Sequence, residues 1–317
     1  MNPDAIRAAQ ARIGAHVRAT PVLQVEPGAF GPAFPGCPAG PLTLKLELLQ
    51  HAGSFKPRGA LNRILSAEEG APLAAAGVIA ASGGNHGAAV AWAAQRLGLR
   101  AEIFVPVVAS PAKIERIRGF GADVCIGGAG YADALAASAA RATESGALVV
   151  HAYDQPETIA GQGTVALEFE QQVPGLDTML IACGGGGLVA GVAAWYQGRV
   201  KVVAVEPASC PTLFRARTAG APVDVEVGGV AVDSLGARRI GKLAFEISRE
   251  WVAEVVLVPD DAIRRAQQAL WRELRIAAEP GGAAALAALL CAAYSPEPGE
   301  RVGVLVCGGN LDLATLA

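Results

Sequence analysis

The chain has little charge and few aromatic rings. Of its 317 residues, 17% are Asp, Glu, Lys or Arg, 5% are Phe, Trp or Tyr, and the formal net charge is −3. With no basic run and no acidic tail, neither a nucleic acid nor a membrane surface is expected as a partner. Cys-x-x-Cys spacing is absent as well. Cys37, Cys125, Cys183, Cys210, Cys291 and Cys307 are scattered, which argues against a zinc site or a disulfide framework and fits a reducing cytoplasm. No charged-then-apolar leader opens the sequence, and "AAALAALLCAA" is too short to span a bilayer. A soluble, cytoplasmic protein is the expectation. Lysine is scarce, with five against twenty-one arginines, so each one has to be accounted for.

Apolar material is plentiful, at 52%, enough for one large domain or two domains sharing a core. Short apolar runs alternate with helical patterns. Strands are expected at "LTLKLELL", "GVIAAS", "RAEIFVP", "ADVCIG", "ALVVHAY", "DTMLIAC", "VKVVAVE" and "RVGVLVC". Between them helices are expected from Pro57, from about Asn85, in "SPAKIERIRGFG", from Tyr131, after the glycines at 184–187, and in "DDAIRRAQQALWREL". This rhythm predicts an α/β fold with two open, twisted, mainly parallel sheets carrying helices on both faces. Residues 66–152 read as one self-contained unit. Residues 1–65 and 153–317 read as a larger, discontinuous domain, and "PGAFGPAFPGCPAGP" as an exposed loop.

Four stretches at strand ends or helix starts carry candidate chemistry. In "SFKPRG", Lys56 precedes a proline suited to the first turn of a helix, where the dipole disfavours an ammonium. A lysine of lowered pKa is a nucleophile, although a surface lysine at a helix start fits the same letters. In "ASGGNHG", small residues Ser82, Gly83 and Gly84 offer backbone N–H groups to a carboxylate, with the Asn85 amide beside them. His86 in such a turn is more often structural, and the whole stretch can also be an ordinary tight turn. In "LIACGGGGLVAG", four glycines between a strand and a helix suggest a phosphate cradle. The same letters satisfy a dinucleotide fingerprint, with Gly185, Gly187 and Ala190 in place and Glu206 where a ribose-binding acid would stand. In "VLVCGGNLD", Cys307 sits at a strand's carboxyl end, where open α/β sheets bind ligands; alone it is a small buried residue.

Taken together, a poised lysine, a phosphate cradle, an anion nest and a polar strand end suit a phosphorylated aldehyde, pyridoxal phosphate. A nicotinamide enzyme would leave Lys56 and the Ser-Gly-Gly-Asn turn without a role. The chain resembles the fold-type II pyridoxal-phosphate enzymes, specifically the serine/threonine dehydratase and serine racemase family. The resemblance runs from "IRAAQARIGAHVRATPVL" through "SFKPRGALNRI", "SGGNHG", "IAGQGTVALE", "GGGGLVAG" and "EPGGAA" to "CGGNLD".

It implies that Lys56 carries the cofactor covalently and then moves the proton of substrate Cα. It implies a phosphate held by Gly184, Gly185, Gly186, Gly187 and Leu188, a phenolic oxygen bonded by Asn85, and a pyridine nitrogen facing Cys307. The substrate would lie on Ser82, Gly83, Asn85 and His86. The implied activity is α,β-elimination of L-threonine or L-serine to a 2-oxo acid and ammonia, in a homodimer, with residues 66–152 carrying the substrate loop. Racemisation, β-replacement and mere amino-acid binding are the alternatives. Asp154 stands where relatives often have Asn. A cation site is implied at Glu206, Cys210 and Thr212; a neutral Thr in the last position favours a monovalent ion such as potassium. The alternative there is a strand-end Glu capping a turn.

Overall fold

A computed structural model describes residues 1–31, 40, 42–70, 73 and 75–316, so most of the expected loop at 27–41, with Cys37, lies outside the described residues. The elements run α1 Pro3–Ile13, β1 Val22–Val25, β2 Leu42–Lys45, α2 Lys56–Glu68, β3 Val78–Ala81, α3 Asn85–Leu97, β4 Ala101–Val105 and α4 Pro111–Gly119. Next come β5 Asp123–Ile126, α5 Tyr131–Ser145, β6 Leu148–Val149, α6 Pro156–Gln172, β7 Thr178–Ala182, α7 Gly187–Tyr196, β8 Lys201–Pro207 and α8 Thr212–Ala219. The chain continues through α9 Val232–Leu235, α10 Lys242–Trp251, β9 Val252–Val258, α11 Asp260–Leu274, α12 Pro280–Leu290 and β10 Val302–Leu305.

Two sheets form, as the strand–helix rhythm implies. The larger has the order β1-β2-β10-β7-β8-β9, parallel except where β1 meets β2; the smaller has the order β5-β4-β3-β6 and is parallel throughout. Four-residue strands such as β3 and β10 are buried along their whole length, as parallel strands covered on both faces must be. Each sheet has its own apolar core, and the core under the smaller sheet also takes in Ile13, Ala52, Ala60, Leu61 and Ile64 from outside residues 66–152. The packing therefore crosses the boundary expected at residue 65, because α2 packs against both α3 and α6.

The sheet order places the site. Neighbours β2, β10 and β7 end side by side, and their carboxyl ends feed the lysine loop, Cys307 and the glycine turn respectively. The run "LTLKLELL" does not stay extended. It leaves the sheet after Lys45 and turns through a 3-10 segment at Glu47–Leu49, because Lys45 and Glu47 are drawn into a buried ionic cluster.

Candidate active site

Helix α2 starts at Lys56 itself, one residue before the expected proline start, with Phe55 in the cap position at φ −59° and ψ −19°. The approach is pinned to the end of β10: Phe55 N donates to Cys307 O at 3.1 Å and Gly309 N to Gly53 O at 2.9 Å. Lys56 Nζ donates to Ala152 O at 2.8 Å. Burial lowers the pKa of this amine to about 8, against the opposing pull of Cys307 and Glu279. The expected depression is present, and its main cause is desolvation.

From Ala152 the chain leads to the glycine turn. The Tyr153 ring occupies the space where a side chain on Gly185 would stand, and Tyr153 O lies 2.6 Å from the place of a Cβ on Gly187. Leu235 backbone closes the other side, 3.0 Å from a Cβ built on Gly184, and Gly186 has φ 89°, open to glycine alone at little cost. Asp154 does not face this turn. Its two oxygens accept from Lys242 N at 2.9 Å and Leu243 N at 3.0 Å, capping α10. Among the described residues, no protein acceptor meets the backbone N–H groups of residues 184–189. Six successive open donors at a helix N-terminus form a cradle for an anion.

A second open nest lies at the end of β3. Ser82 Oγ accepts from Gly84 N at 3.2 Å, so the hydroxyl is folded back onto its own turn. The N–H groups of Gly83, Asn85 and His86 have no acceptor among the described residues. The His86 ring is buried and bonded to Val150 O at 2.8 Å; burial, with Lys56 adding, lowers its pKa to about 3. Only the backbone of His86 is available to a ligand. A Cβ on Gly83 would stand 2.9 Å from Ala109 Cβ and 3.0 Å from Val105 Cγ1, which leaves no room for a side chain.

The Asn85 amide is oriented from both ends. Its Nδ2 donates to Glu279 Oε1 at 2.6 Å, and its Oδ1 accepts from Asn310 Nδ2 at 2.7 Å, leaving one N–H for the cleft. Glu279 and Asn310 were not among the expected site residues. The available signal was their place in "EPGGAA" and "CGGNLD". Burial raises Glu279 to about 7, with Asn85, Lys113 and Arg116 pulling down. Cys307 is buried and donates Sγ–H to Gly281 O at 3.4 Å; burial pushes its pKa far up, so it stays a neutral thiol.

Glu206, Cys210 and Thr212 are neighbours, but their oxygens are engaged. Glu206 accepts from Leu213 N at 2.7 Å and Phe214 N at 2.8 Å, Cys210 O accepts from Thr212 N at 3.0 Å, and Thr212 Oγ1 donates to Ala237 O at 2.7 Å. Through these bonds Glu206 caps the start of α8. Among the described residues, no group of three or more His, Cys, Asp or Glu converges as metal ligands.

Comparison with known proteins places this geometry. The family model described as "Pyridoxal-phosphate dependent enzyme" matches residues 13–308. An L-threonine ammonia-lyase of Geobacter sulfurreducens is 39% identical over 280 residues, covering 87% of this chain and 69% of its own length. A phenylserine dehydratase of Ralstonia pickettii is 36% identical over 316 residues, covering 99% and 94%. The solved structure of maize serine racemase superposes with a TM-score of 0.90 at 34% identity, covering 99% of this chain and 95% of that one.

Proposed function

The chain belongs to the pyridoxal-phosphate dependent enzymes, and we propose that it removes ammonia from L-threonine and L-serine by α,β-elimination, the water lost in the elimination being regained on hydrolysis, yielding 2-oxobutanoate and pyruvate. Its cofactor is pyridoxal 5'-phosphate. The residues present fit that group: the open donors of Gly184, Gly185, Gly186, Gly187 and Leu188 suit its phosphate, and the Lys56 amine suits its aldehyde carbon. Asn85 would meet its phenolic oxygen and Cys307 its ring nitrogen. When bound, it supplies an electron sink for the Cα–H bond.

The chain's own groups do the rest. The Ser82–Gly83 turn binds the substrate carboxylate through the N–H groups of Gly83, Asn85 and His86. Lys56, with a pKa of about 8, is neutral often enough near pH 7–8 to take the proton from Cα. The β-hydroxyl then leaves as water, and hydrolysis of the enamine gives the 2-oxo acid and ammonia. The neutral Cys307 thiol is a weak partner that leaves the ring nitrogen unprotonated, which suits elimination over amino transfer.

The observation that carries the reading is the open phosphate cradle together with a buried, weakly basic lysine, at the carboxyl ends of two strands that flank β10. Elimination is favoured over racemisation because a second acid or base is needed on the opposite face of the substrate. Gly83 has no side chain there, and Ala109 and Val105 fill the space. Purified protein should show a visible lysine-bound band, and borohydride should fix the label on Lys56. It should form 2-oxobutanoate from L-threonine. D-serine appearing as fast as pyruvate from L-serine, or labelling of Lys45 or Lys113, would overturn the reading. A homodimer in a reducing cytoplasm completes it. Its checks are light scattering and the thiol count, with all five described cysteines free.

A further inference from the structure

The motif "IAGQGTVALE", residues 159–168, lies within α6, away from the reacting groups, and contains two glycines in a helix interior. Glycine there costs about 1 kcal/mol relative to alanine. Neither has a positive φ that would require it. Close approach explains both. A Cβ on Gly161 would stand 2.5 Å from Arg58 O and 2.7 Å from Gly59 Cα, so α6 touches the first turns of α2 backbone to backbone. A Cβ on Gly163 would stand 2.8 Å from Gly191 O, and one on Gly191 would stand 2.6 Å from Gly163 N, so α6 touches α7 in the same way.

Helix α6 is therefore clasped between the helix that begins with Lys56 and the helix that begins with the cradle. Its relation to α2 is also fixed by charge. Arg58, fully buried, reaches Glu168 Oε2 at 2.9 Å on α6 while holding Glu47 at 2.7 and 2.9 Å, and its Nη1 meets Thr164 Oγ1 at 3.3 Å.

We propose that α6 is the spacer that sets the distance and orientation between Lys56 and the phosphate cradle, with Gly161, Gly163 and the Arg58–Glu168 pair as positioning residues. The proposal rests on the reading that one cofactor is attached at both points. A ligand held at two sites gains from the second only when their separation matches its own length.

The test uses the whole protein, stripped of cofactor and shown to regain its visible band on re-addition. It is titrated with pyridoxal 5'-phosphate and, separately, with pyridoxal, which lacks the phosphate and so cannot engage the cradle. The unmodified protein should strongly prefer the phosphorylated form. In Gly161→Ala the ratio of the two dissociation constants should fall by about tenfold or more, while the pyridoxal constant stays within about twofold. Gly163→Ala should move the ratio in the same direction, though less, because the Ile6 side chain can yield part of the space. Should Gly161→Ala fail to fold, Glu168→Gln keeps the shape and the Arg58–Glu47 pair, and the ratio should fall by about threefold. Leu270→Ala, which opens a cavity in α11 away from the clasp, should lower stability and leave the ratio alone. An unchanged ratio in both glycine variants, or an equal fall in Leu270→Ala, would overturn the inference. No preference for phosphate in the unmodified protein would instead overturn the functional reading beneath it.

Discussion

Lys56 and Arg58 stand two residues apart on the first turn of α2, in opposite kinds of surroundings. Behind the turn, Arg58 joins Glu47, Glu168 and Lys45 in a neutral cluster sealed from water. Its members satisfy one another. Lys45 also donates to Thr20 O at 2.7 Å and Gln172 Oε1 at 2.6 Å, and Thr20 Oγ1 donates to Glu47 Oε1 at 2.5 Å. In front of the turn, Lys56 donates to a carbonyl, and the cradle and the Ser82–Gly83 turn hold out donors that meet no acceptor among the described residues. A closed polar network holds the fold in register; an open one waits for a ligand.

Substitutions can separate the two sides. The largest effect is expected from Lys56→Ala, which should cost at least about 10⁴-fold in 2-oxo acid formation while circular dichroism stays native. Next is Arg58→Ala, which strips two buried carboxylates of their cation. It should cost about 3–5 kcal/mol in denaturant unfolding. An Arg58→Ala protein of normal stability would erase the contrast.

The cofactor-free protein offers a subtler test. Lys56 titrates at about 8 when folded, against an ordinary 10.5, so the unfolded chain binds more protons between those values. Stability should therefore rise with pH across pH 8–10.5, by roughly 3 kcal/mol relative to Lys56→Met, which lacks the group. The smallest effect belongs to a third polar cluster. Glu206→Ala should cost about 0.5–2 kcal/mol as a lost helix cap, and the same amount in sodium and potassium salts. A loss confined to potassium would make Glu206 an ion ligand after all.

The alternation of strand and helix was readable wherever turn residues punctuate it, as at "GVIAAS" followed by "SGGNHG". It was not readable at β9, because α10 runs into it without a break: Trp251 ends the helix and Val252 begins the strand. Strand β1, four residues at the sheet's edge and largely unburied, carries too weak a pattern to register. "LTLKLELL" misleads for the opposite reason, since its charged letters are as buried as its leucines. Lys56, Asn85 and the glycine turn stand out locally because each occupies a strand end or a helix start. Glu279 and Asn310 act on Asn85 from about 200 positions away, and only folding brings them there. The glycines of α6 belong with them, because their reason lies in two other helices.

Strand β10 has a consequence for the order in which the molecule is made. It inserts between β2 and β7, and Val302 pairs with Leu42 across 260 positions. The smaller sheet draws all its strands from residues 78–149 and can close while synthesis continues. The larger cannot: β2 has no neighbour on its inner side until residues 302–305 have been released. Contacts this distant are slow to form and leave an unpaired edge exposed in the meantime. Because Phe55 is bonded to Cys307, just beyond β10, the lysine loop is pinned in place only once β10 has inserted. On a ribosome, nascent chains halted before β10 emerges should therefore resist proteolysis across residues 78–149 and yet fail to take up the cofactor.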